Sequence, residues 1–146
     1  MKENPIIAGT LRVLHLVFLM GMLSYLIISI AFSRDISRSL SGFDQYYAES
    51  VVVGSAVAVG ALVAGNVLFA KVASDVDALE VDDRYSAYRK AMFNQFALAN
   101  AAMLVMGTLY LIFNRGVFVA EALGIVGIQI VLFPTRRRLA KVLKLG

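Results

Sequence analysis

Residues 51–70 read VVVGSAVAVGALVAGNVLFA, a stretch without a single charged side chain. A helix that crosses the ~30 Å hydrocarbon layer of a bilayer needs about 20 predominantly apolar residues. This stretch meets that length. Taken alone it also fits a helix buried on every side in a soluble core, so its neighbours decide. Upstream, Leu11 to Phe32 is a second apolar run, with Arg12 and His15 near its start. Downstream, Ala91 to Phe113 is a third and carries no charge. Val117 to Phe133 is the fourth, ended by Pro134 and holding one acid, Glu121. It is the shortest, near the lower limit of about 17 residues for a span. Four such runs in 146 residues leave no polar elements to cover them. Strands do not fit, because the runs lack a two-residue alternation and four strands cannot close the barrel that lipid requires. The expected fold is an all-α membrane protein, a single four-transmembrane-helix bundle over 1–146. Its spans are 11–32, 51–70, 91–113 and 117–133, followed by a basic tail over 134–146.

Composition agrees. The chain is 60% hydrophobic and 16% charged, against roughly 45–50% and 25% for soluble domains. Its mean hydropathy is +0.77. The net charge of +4 lies at the ends of apolar runs instead of along one face, so nucleic acid is excluded as a partner. There are no cysteines, which excludes disulfides, thiolate metal sites and cysteine nucleophiles. The first apolar run is too long for the core of a signal peptide, and no small-residue cleavage site follows it. It is read as a span.

The connectors set the order and the orientation. Residues 33–50 are polar, with Arg34, Asp35, Arg38, Asp44 and Glu49, and hold Phe43, Tyr46 and Tyr47, which suit the headgroup region. Residues 71–90 place Asp75, Asp77, Glu80, Asp82 and Asp83 ahead of Arg84, Arg89 and Lys90. Acids favour the first turn of a helix, so helix three is expected to begin near Asp82, before the membrane. Asn114, Arg115 and Gly116 make so short a link that helices three and four form a tight hairpin. Lys and Arg mark the cytoplasmic side. Lys2, Arg12, Lys71, Arg84, Arg89, Lys90, Arg136, Arg137, Arg138, Lys141 and Lys144 fall on one side, leaving Arg34, Arg38 and Arg115 on the other. Both termini are therefore expected in the cytoplasm. Arg136, Arg137, Arg138 and Lys141 form an interfacial segment, each worth ~1 kcal/mol near anionic headgroups, either as a topology anchor or as a lipid site.

This orientation puts His15, Asn66, Asn94, Gln95 and Gln129 at a common depth, about one turn inside the cytoplasmic boundary. Polar groups in hydrocarbon must face one another or water. The layer is either a set of interhelical hydrogen bonds or a ligand or ion site open to the cytoplasm. One histidine cannot by itself hold a haem or zinc. Glu121 is the only carboxylate within a span, about a turn inside the outer boundary. It is a candidate for proton coupling or for a structural, interfacial role. Helix two is rich in small residues, with Gly54, Ala56, Gly60, Ala64 and Gly65 at spacings that let helix backbones approach closely. Whether their partner is in this chain or another copy stays open at this point. Asn100, near mid-membrane, is expected to bond a neighbouring helix. The spans contain no nucleophile–base pair, metal-spaced cluster or paired carboxylate, so no enzyme activity, metal or cofactor is expected.

Several short motifs carry a resemblance: Leu11-Arg12-Val13-Leu14-His15 opening helix one, Tyr88-Arg89-Lys90-Ala91 opening helix three, Ala97-Leu98 beyond it, and Phe133-Pro134-Thr135 with the basic tail and Leu145. The chain resembles a family of small four-span membrane proteins of Bacteroidetes-type bacteria that has no settled function. The resemblance implies the four-span topology and a bacterial inner (plasma) membrane. That family often carries an acid where this chain has Asn100, which puts in doubt any need for a carboxylate there. The function expected is that of a non-enzymatic integral membrane protein, an accessory or self-associating subunit of a membrane assembly. The alternative is a small oligomeric transporter or channel with a cytoplasm-facing polar layer. The expected partners are the lipid bilayer and a homo-oligomer or larger membrane complex.

Overall fold

The computed structural model describes residues 5–75 and 78–135, and every regular element among them is helical. Helix α1 runs Pro5–Ser39, α2 Tyr47–Asp75, α3 Val81–Phe113 and α4 Gly116–Val131. A 3-10 helix, Ser41–Tyr46, joins α1 to α2. Proline at the first position of α1 costs nothing, because the N–H it lacks would have no partner inside the helix. Helix α3 begins one residue before the expected Asp82. Its first backbone bond runs from the Arg84 N–H to the Glu80 carbonyl at 3.0 Å.

The α3–α4 turn is as short as expected. Asn114 takes the left-handed conformation, with φ 48° and ψ 42°, and its N–H closes on the Tyr110 carbonyl at 2.7 Å. Asparagine is one of the few non-glycine residues that visit this region routinely. Arg115 returns to extended backbone and α4 starts at once.

Two lengths differ from the hydropathy reading. Helices α1 and α2 run well past their apolar stretches into the polar connectors, so only 40–46 lie between them. Ser37 and Ser39 donate to the carbonyls of Arg34 and Asp35 on their own helix. At ~1.5 Å per residue, α1, α2 and α3 reach about 52, 44 and 50 Å. By length and composition, Gly9–Ser39, Ser41–Asp75 and Asp83–Phe113 are long and apolar enough to cross a membrane. Helix α4, with 16 residues, is shorter than the other three, about 24 Å.

Helix α3 is the hub. It packs most extensively along α2, then α1, then α4, and α1 also touches α4. The start of α1 lies with the start of α3 and the end of α2, since Leu11, Tyr85, Tyr88, Met92 and Phe96 form one apolar cluster against Phe69. At the other end Ser33 donates to the Asn114 side-chain oxygen at 3.0 Å, and Tyr47 meets the rings of Phe113 and Phe118. Successive helices therefore run up and down. Between the ends, Met22, Met103, Met106, Ala99, Ala102 and Phe118 fill the larger core. Small residues on α3 let α1 approach: a Cβ on Gly107 would run into the Tyr25 ring. Outward faces stay apolar, with Val13, Val17 and Ile27 on α1 and Val52, Val59 and Val67 on α2 all exposed.

Candidate functional site

The polar residues form two separate sites, one at each end of the bundle. At the end where α1 and α3 begin, Gln95 of α3 is buried and donates from Nε2 to the Asn66 side-chain oxygen of α2 at 2.7 Å. Asn66 in turn donates to the Leu62 carbonyl one turn back at 2.9 Å. These two amides use each other. Close packing permits this, because a Cβ on Gly65 would already lie 3.4 Å from the Gln95 backbone.

His15 and Gln129 take a different place in the same layer. His15 is 1% exposed and stands edge-on to Phe96 at 4.4 Å and to Phe133 at 5.0 Å between ring centroids. It sits among aromatic rings. Gln129 is 2% exposed, and among the described residues neither its amide nitrogen nor its oxygen has a hydrogen-bond partner. The Tyr85 hydroxyl is also buried without one among the described residues. A nearby clasp holds this end together, with Arg12 Nε donating to the Pro134 carbonyl at 3.3 Å. Asn94 faces outward. Adjacent helix positions point ~100° apart, so when Gln95 takes the inward position Asn94 cannot. The five residues thus form a bonded pair, a histidine among aromatic rings, one buried amide and one exposed amide. Asn100 was expected to bond a neighbouring helix; among the described residues its Nδ2 instead donates to the Phe96 carbonyl of its own helix at 3.0 Å.

The second site lies between α2 and α4 near the α3–α4 turn. Ser55 Oγ donates to Glu121 Oε1 at 2.6 Å. Both side chains are half-buried. They head a groove of about 300 Å³ walled by Ala58, Val59 and Leu62 of α2 and Gly124, Ile125 and Ile128 of α4. Arg115, the cation nearest to Glu121 in sequence, stands over the Tyr47 ring with its guanidinium carbon 5.4 Å from the centroid. Ser55 was not singled out by the sequence reading, although a signal existed. It lies as far into its apolar run from Val51 as Glu121 does from Val117, so two helices running in the same direction bring the two to one depth.

The small residues of α2 divide as well. Gly54 and Gly65 are buried against α3, and a Cβ on Gly54 would collide with Leu109. Ala56, Gly60 and Ala64 face away from the chain, and a Cβ on Gly60 would meet nothing. Arg136, Arg137, Arg138 and Lys141 lie outside the described residues. No family model, curated protein or solved structure matches the chain.

Proposed function

We propose that this chain is a multi-pass protein of a bacterial inner membrane, with four spans and both termini cytoplasmic, that acts as a non-catalytic, self-associating subunit of a membrane assembly. One observation carries the reading: Ala56, Gly60 and Ala64 form a small-residue stripe on α2 that the rest of the bundle leaves uncovered. In lipid there is no hydrophobic force between helices, so association depends on close backbone approach and dispersion contacts. The chain's own α2–α3 seam uses Gly54, Ala58 and Gly65 in this way, and the outward stripe offers the same surface to a second helix. Helix α4 reaches the required length when Leu132 and Phe133, which continue its apolar run, are counted with it.

The test is the mass of the purified chain in mild detergent, read together with tags at both ends in intact cells. The expected result is a dimer or larger species with both tags inaccessible from outside. A lone monomer that captures no membrane partner sinks the subunit reading. Tags on opposite faces sink the topology.

A second reading, a small oligomeric transporter, draws on the Ser55–Glu121 pair heading a groove between helices. Proton or cation flux into liposomes that carry the protein, unmatched in empty liposomes, is its direct measure.

A further inference from the structure

We propose that the groove between α2 and α4 binds a hydrophobic monocation, with the Glu121 carboxylate as its counter-ion. The inference rests on the multi-pass reading and is independent of self-association. It would give the transporter reading a substrate class.

The case begins with what Glu121 lacks. A carboxylate offers about four lone-pair sites to donors. Ser55 fills one, and no other interaction reaches Glu121 from the described residues. The 2.6 Å spacing lies within the usual range of an O–H···O hydrogen bond, about 2.5–3.0 Å. Among the described residues no cationic side chain reaches Glu121, and Arg115 stands over the Tyr47 ring. A negative charge held at the edge of an apolar bundle is costly unless something positive pairs with it. The described residues supply no such group, so the site is open to an external cation.

The walls select which cation. Six apolar residues continue from Glu121 along the groove. The distance from Glu121 to Ile128 is two helical turns, about 10 Å. A small hydrated ion such as sodium needs several oxygen ligands, and the groove presents one carboxylate and one hydroxyl. A cation with its own apolar body needs no such cage: its charge meets Glu121 and its body lies between the helices. The volume is at the lower end of small-molecule sites, ~300–1,000 Å³. Gly124 keeps the α4 wall low, as a Cβ there would meet nothing within 4 Å. Uncharged acyl chains fit the same walls, and charge is what separates a cation from them.

The experiment is equilibrium dialysis of tetraphenylphosphonium against the full chain in a non-ionic detergent. Tetraphenylborate, of the same shape and opposite charge, is the control. Saturable binding of the cation at one site per chain is expected, with no saturable binding of the anion. Glu121→Gln keeps the shape and an acceptor for Ser55 and should weaken binding at least tenfold. Gly124→Leu leaves the charge and fills the groove, and should weaken it to a similar degree. Ser55→Ala should cost less, because the charge remains. Circular dichroism and particle mass should be unchanged in all three, which separates this result from any failure of folding or assembly. Equal binding by wild type and Glu121→Gln overturns the proposal. So does equal binding of the two tetraphenyl ions, or wild-type uptake no greater than that of empty micelles.

Discussion

On one face of α2, Gly54, Ala58 and Gly65 lie against α3; on another, Ala56, Gly60 and Ala64 face away from the chain. Both sets have the spacing that lets helices meet closely, and nothing in the residues themselves separates them. The partner does. Opposite the first set stand Leu109, Met106 and the backbone of Gln95, close enough that an added methyl at Gly54 would collide. Opposite the second set there is open space. A small residue in an apolar helix therefore marks a permitted approach, and the neighbouring helix determines which approach is used.

Three substitutions probe this difference, in falling order of expected effect on folding. Gly54→Leu drives a side chain into Leu109 and Met106 and should destabilise the bundle by about 1–3 kcal/mol, the usual cost of overpacking. Unfolding in mixed micelles measures it, and a neutral result would show the α2–α3 seam to be looser than described. Gln95→Leu removes the donor to Asn66 and should cost about 0.6 kcal/mol, the mean for an interhelical hydrogen bond in a membrane. A loss several times larger would mean that the amide pair organises that whole end. Gly60→Leu should leave folding within about 0.5 kcal/mol, as expected of an outward position. The same variant should abolish self-association in a mass measurement. If Gly60→Leu instead unfolds the chain, the two faces are not distinct.

Much of this architecture was legible in the residues. The acids of 75–83 placed the start of α3 within a residue, and Asn114-Arg115-Gly116 gave the tight hairpin. Helix ends were less legible where the chain turns polar. Hydropathy reports where lipid contact stops, while a helix continues as long as its backbone bonds are made. Hence α1 passes through Arg34, Asp35 and Arg38 to Ser39. Asn66 and Gln95 were legible as neighbours along the bundle, but azimuth was not legible. Depth put Asn94 and Gln95 together, whereas rotation about the helix axis turned one outward and the other toward Asn66. Ser55 shows the reverse case. A serine in a valine- and alanine-rich helix gives no signal by type, and only its matching depth with Glu121 points to it.

Helix α3 holds one further consequence. It runs 33 residues without a proline and with a single glycine, touching each of the other helices along the way. Such a rod does not bend at a hinge. Near its start Tyr85 and Tyr88 are buried against Leu11 and Phe69, and Asn114 closes its far end. The bundle therefore has one continuous spine, against which the other three helices are laid.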